Sequence, residues 1–167
     1  TLSLIKGVLA GIKERGYTIG GFESYITSDV LIGAGLSSSA AFETVIGTII
    51  SGLYNNMAIS STEIAIIGQF AENVYFGKPC GLMDQMASST GGLVYIDFAN
   101  PAQPIVEKID FDLSSKGYSL CITDTKGSHA NLTPDYAAIP EEMKKVAAFF
   151  GKEVLRGVTL SDIYANI

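Results

Sequence analysis

Gly33-Ala34-Gly35-Leu36-Ser37-Ser38-Ser39-Ala40-Ala41 is the stretch on which the fold turns, because it feeds a run of small residues into a long apolar segment. Small residues let backbone N–H groups approach a ligand closely. A helix starting at Ser39 aims the positive end of its dipole at the same point. A phosphate group suits that arrangement, and the three serine hydroxyls can add hydrogen bonds or an Mg²⁺ ligand. No lysine precedes the serines, so this is not a GxxxxGK[ST] loop. A Gly/Ser turn with ordinary helix capping accounts for the same residues.

Outward from this loop, residues 39–54 read as a helix that is apolar nearly all round and therefore buried on most sides. Glu43, Thr44, Thr48 and Ser51 interrupt it, so it falls short of the ~18 uninterrupted apolar residues of a membrane span. Asn55-Asn56 ends it. Ser60-Ser61-Thr62-Glu63 predicts a capped start for a second helix running to about Phe76. Gly77-Lys78-Pro79-Cys80-Gly81 breaks the chain, and a short turn carrying Met83-Asp84-Gln85-Met86 is expected after it. Upstream, Leu2, Ile5, Val8, Leu9 and Ile12 recur at helical spacing until Arg15-Gly16, and residues 21–27 read as a strand. Strands are expected at 93–98, 104–109 and 118–124, and a helix that opens with Pro140-Glu141-Glu142 and closes at Gly151. That order of helices and strands is α+β, with no repeat or linker that would divide the chain.

Composition removes several classes of function. The 167 residues are 47% hydrophobic and 17% charged, which supplies a core and excludes disorder. The net charge is -6, pI about 4.7, with no Lys/Arg block, so nucleic acid is not the expected partner. Cys80 and Cys121 are too few for a disulfide framework and lack the company that zinc needs, which makes a reducing cytoplasm the default reading. No basic leader precedes Thr1-Leu2-Ser3-Leu4, and no membrane role is expected. A mean hydropathy of +0.31 fits an apolar core, or a core whose covering lies elsewhere.

Three further features could carry chemistry. Asp84 follows a Gly/Pro break and could act as a general base or orient a substrate hydroxyl, although Asp also caps helices and decorates solvated turns. Glu72 is a lone carboxylate on an apolar helix, either an Mg²⁺ ligand beside serine hydroxyls or a residue of the exposed face. Asp124, Lys126, His129 and Tyr136 follow an expected strand, and His129, the only histidine, reads as structural because it has no partners at ligand spacing.

Taken in order, these stretches resemble the galactokinase branch of the GHMP small-molecule kinases. Gly33 to Ala41 is similar to the family's phosphate-cradling Gly/Ser motif. Ala71-Glu72 followed by Pro79-Cys80-Gly81-Leu82-Met83-Asp84-Gln85 resembles the region that bears the catalytic aspartate. Asp124-Thr125-Lys126 with Ser128-His129-Ala130 and Tyr136 resembles the next shared stretch. The resemblance implies ATP-dependent phosphorylation of galactose at C1. Gly33, Gly35, Leu36, Ser37, Ser38 and Ser39 would hold the ATP phosphates, and Ser39 and Glu72 the Mg²⁺. Asp84 would be the catalytic carboxylate at the sugar, with Gly81 and Tyr136 also touching it.

The implied architecture is a two-domain GHMP kinase, of which residues 1–167 would form part of the N-terminal domain, a domain type that contains a left-handed βαβ crossover. The family's arginine-bearing N-terminal motif and its Gly-rich C-terminal motif have no match here. The expectation is therefore an internal stretch of such a kinase, inactive alone and able to self-associate through apolar surface left open. Ala137-Ala138-Ile139 stand where many relatives carry basic residues, which leaves N-acetylgalactosamine or a uronic acid open as the sugar, and a non-catalytic sugar sensor as a further alternative.

Overall fold

In α1 (Leu2–Glu14), Val8 and Ile12 of the expected helical stripe are buried, joined by Leu4, while Leu2 is 65% exposed. A computed structural model describes residues 1–30, 35–123 and 132–166 of the chain. The chain divides into two compact units, Thr1–His129 and Ala130–Ile167.

The first unit contains α1, α2 (Ser38–Asn55), α3 (Ser61–Phe70), a π-helical turn (Ala71–Phe76), α4 (Met83–Thr90), β1 (Leu93–Asp97), β2 (Ile105–Ile109) and a 3₁₀ turn (Ser114–Lys116). Val8 and Ile12 of α1, Ile46 and Ile50 of α2, and Ile64 and Ile67 of α3 form the main core with Ile59 and Ala71. A smaller cluster of Ala65, Leu82 and Met86 joins α3 and α4 to the sheet through Ile96 and Val106. The sheet has two antiparallel strands, with Ile96 opposite Val106 on the face towards the helices.

Local signals explain the helix ends. The Ser60 hydroxyl accepts a hydrogen bond from the Glu63 N–H at 3.2 Å, and Glu63 Oε2 accepts one from the Ser60 N–H at 3.1 Å, a complete capping box. Asn56 closes α2 in the left-handed region, which Asn tolerates better than most residues. The long helix that begins at Ser61 does not stop at Phe70. It widens into the π turn, and Gly77 at φ +77 ends it. Such widened turns are rare and recur at functional sites.

Several expectations need correction. Residues 21–27 form no strand: the segment has no ladder partner among the described residues, and Tyr25 is 94% exposed. Residues 118–123 likewise form no strand, and Asp124 lies outside the described residues. The segment around Asp84 is an eight-residue helix, α4, and not a short turn. No parallel strand pair, and so no βαβ crossover, occurs among the described residues.

The second unit contains α5 (Thr133–Phe149) and α6 (Leu160–Tyr164). Pro140 sits inside α5 and not at its start; Pro134 is the proline of the first turn. Gly151 follows the helix at φ +68, as expected. The Thr159/Asp162 capping box opens α6, an element that the apolar pattern did not reveal. Among the described residues no helix is long and apolar enough to cross a membrane.

Candidate active site

Ser37 takes the position before α2 in a left-handed conformation, φ +56, which a non-glycine residue adopts only at a cost of about 1–3 kcal/mol. Its hydroxyl does not cap the helix. It donates instead to Asp84 Oδ2 at 2.6 Å, across 47 residues of sequence. Two residues on, the Ser39 hydroxyl donates to Glu72 Oε1 at 3.0 Å, across 33 residues. Ser37, at the cap position, and Ser39, in the first turn of α2, thus reach two separate carboxylates, on α4 and on the π turn. Asp84 lies in the first turn of α4, where the helix dipole favours a negative charge.

The loop between the π turn and α4 is held in place by side chains. The Cys80 N–H donates to Asn73 Oδ1 at 2.7 Å, and Gln69 Nε2 donates to the Cys80 carbonyl at 3.2 Å. These bonds fix Pro79-Cys80-Gly81 against the preceding helix and so fix where α4 starts.

Beneath the serines lies a buried polar cluster. Gln85 Nε2 donates to Glu72 Oε2 at 2.9 Å and to Glu43 Oε2 at 3.1 Å. All three side chains are nearly sealed from solvent: Glu43 0%, Gln85 1% and Glu72 2% exposed. Glu43 Oε1 and Gln85 Oε1 have no hydrogen-bond partner. Burial pushes the Glu43 carboxyl up to about 8 against the opposing Gln85 hydrogen bond, so it holds its proton well above the ordinary carboxylate range. Burial also pushes the Cys80 thiol up to about 12, with the Glu72 charge adding to the effect. Gly68 is what admits this cluster, since a Cβ there would lie 3.1 Å from Gln85 Cγ and 3.2 Å from Glu43 Oε2.

Lys78 Nζ donates to Glu72 Oε1 at 2.9 Å. Burial pulls its ammonium pKa down, but the Glu72 hydrogen bond and charge outweigh that and hold it above the ordinary lysine value. Glu72 and Ser39 offer oxygen donors of the kind Mg²⁺ prefers, and Mg²⁺ commonly takes one or two carboxylates and completes its shell with phosphates and water. Among the described residues no group of three or more His, Cys, Asp or Glu is placed to hold a metal ion by itself.

The fold therefore brings Ser37, Ser39, Glu72 and Asp84 together, with Gly35 and Leu36 just before Ser37, Ser38 opening α2, and Gly81 exposed two residues before α4. Gly33 lies outside the described residues, as do Asp124, Lys126 and His129. Tyr136 belongs to α5 in the second unit, where it is 45% exposed. Reading the sequence left out Glu43, Lys78 and the bridging role of Gln85. One signal for Glu43 was available: it stands four residues after Ser39, on the same helix face.

Residues 3–92 match the family described as GHMP kinases N terminal domain. The chain is 36% identical over 164 residues to a galactokinase of Streptomyces coelicolor, a match that takes in 96% of this chain and 41% of that protein. It is 38% identical to a galactokinase of Glaesserella parasuis, across 93% of this chain and 40% of the relative. For a galactokinase of Pyrococcus furiosus the identity is 33%, across 97% of this chain and 45% of the relative. The chain thus spans less than half the length of each of these relatives.

Proposed function

The chain belongs to the GHMP kinases, and from that premise we propose that it supplies the phosphate loop and the acceptor-side carboxylate of a galactokinase. The reaction is transfer of the γ-phosphoryl group of ATP to the C1 hydroxyl of galactose, giving galactose 1-phosphate and ADP. The observation that carries this reading is the divergence of two serines where the loop enters α2, Ser37 to Asp84 and Ser39 to Glu72. Phosphoryl transfer needs phosphate held on one side of the reacting centre and an acceptor hydroxyl oriented on the other, and such a loop lies between the two tasks.

In this reading Gly33, Gly35, Leu36, Ser37, Ser38 and Ser39 hold the ATP phosphates, through backbone N–H groups at the start of α2 and through hydroxyls. Asp84 accepts a hydrogen bond from the sugar's anomeric hydroxyl in place of the one it takes from Ser37, and either removes that proton or aims the oxygen for attack. Gly81 contacts the sugar, a role that the sequence resemblance also implies for Tyr136. Glu72 and Ser39 hold Mg²⁺, which when bound offsets the charge on the phosphate oxygens. The free Cys80 and Cys121 and the use of ATP support a cytoplasmic location as part of this reading.

The test uses the intact natural protein, with ADP formation followed in the presence of galactose. Asp84→Asn is expected to lower kcat by about 10²–10⁴-fold while nucleotide still binds. Unchanged turnover in that variant removes the role given to Asp84. Indifference to galactose alongside turnover of N-acetylgalactosamine or a uronic acid removes the sugar assignment.

A further inference from the structure

Lys78 grips Glu72 twice. Its backbone N–H donates to the Glu72 carbonyl at 3.1 Å, and its ammonium donates to Glu72 Oε1 at 2.9 Å. The same Oε1 accepts the Ser39 hydroxyl, and Gln85 Nε2 takes Oε2, so both oxygens of this carboxylate are already engaged. The partners differ in what they would lose by leaving. Gln85 is buried, and withdrawing it would strand a donor away from water. The Lys78 side chain is 41% exposed, whereas Glu72 is 2% exposed, so its ammonium can return to solvent. A lysine is suited to this, being a compact charge on a flexible stem and not a rigid fork.

We propose that Lys78 is a place-holder cation: it neutralises buried Glu72 in the metal-free protein and withdraws from Oε1 before a divalent cation can take that oxygen. It therefore sets how much metal the site needs. The proposal rests on the reading above that Glu72 is a metal ligand. Two cations cannot share one carboxylate oxygen without strong repulsion in a partly buried site. A carboxylate sealed from water without any counter-charge would in turn be costly whenever metal is absent. Lys78 answers the second problem and creates a competition that the first makes unavoidable.

The test measures binding of Mn²⁺ to the intact natural protein by the loss of the free-ion electron paramagnetic resonance signal, with and without a non-hydrolysable ATP analogue. Lys78→Met is expected to tighten Mn²⁺ binding about three- to tenfold, the range of a partly exposed ion pair. Lys78→Arg, which keeps the charge and grips a carboxylate with two donors, is expected to weaken it, and this arm stands even if Lys78→Met fails to fold. Acylation of Lys78 by a small reagent, read by mass spectrometry, is expected to speed up as Mn²⁺ is added. Mn²⁺ affinity that is unchanged or weaker in Lys78→Met, or Lys78 acylation that does not respond to Mn²⁺, overturns the proposal. Glu72→Gln separates the two levels: if it leaves Mn²⁺ binding intact, the metal reading itself falls; if it abolishes binding while the Lys78 variants have no effect, only the place-holder falls.

Discussion

The helices around Glu72 and the extended segments at residues 21–27 and 118–123 handle their side chains in opposite ways. Among α2, α3, the π turn and α4, even strongly polar side chains are buried: the carboxyl groups of Glu43 and Glu72 and the amide of Gln85 are at most 2% exposed. In the extended segments even large apolar groups face water, with Tyr25 at 94% and Leu120 at 80% exposed. A helix satisfies its own backbone, so packing several together can seal polar side chains inside. A strand depends on a neighbour for its backbone bonds and for cover. Of the residues proposed for the chemistry, Ser39, Glu72 and Asp84 are carried on these helical elements, and Ser37 directly precedes α2.

The sharpest way to break that comparison is through Glu43. Its carboxyl is pushed up from 4.5 to about 8 by burial, so the folded protein keeps a proton that the unfolded chain has already lost. A raised carboxyl contributes its full stability below 4.5; that stability is lost as pH rises towards 8 and levels off above it. At ~1.4 kcal/mol for each pKa unit, the loss approaches about 5 kcal/mol as an upper bound. Urea unfolding at about pH 5 and about pH 8.5 should show this slope, and Glu43→Gln should flatten it. A slope unchanged by the substitution would mean that Glu43 is hydrated after all.

Next in size is Gln85→Leu, which fits the volume but removes both hydrogen bonds to Glu43 and Glu72. Leaving two buried carboxylates without their shared donor should cost about 3 kcal/mol in urea unfolding. Smaller again is Ser60→Ala, which removes one half of the capping box of α3 and should cost about 1 kcal/mol. A loss near zero there would say that tertiary packing, and not the cap, determines where α3 begins.

The same contrast decides what was legible in the sequence. α1, α2 and α3 could be read because an apolar period and a cap are local signals, and Ser60 with Glu63 marked its helix start without help from the rest of the chain. The segments at 21–27 and 118–123 have strand composition, but composition cannot reveal whether a pairing neighbour is present, and none occurs among the described residues. Pro140 misled for a related reason: a proline inside α5 and one in its first turn look alike until the helix is seen to begin seven residues earlier, at Thr133. Ser37, Ser39, Glu72 and Asp84 were legible through their motifs. Glu43 was not, because a carboxylate on an apolar helix ordinarily marks the wet face, and only the approach permitted by Gly68 brings Gln85 onto it.

The smallest effect tests the exposed side of the comparison. Tyr118, Leu120 and Ile122 are 66%, 80% and 60% exposed, and alternate with residues that make no ladder. Leu120→Ser removes apolar atoms that are already in water, so unfolding of the chain should shift by no more than about 0.5 kcal/mol. Apolar groups presented in this way do favour contact between molecules, and light scattering over a concentration series should show less self-association in the variant than in the parent chain. A large loss of stability from this one substitution would place Leu120 under cover. The opposition between sealed helices and open extended segments would then fail on the exposed side, even if Glu43 behaved as expected.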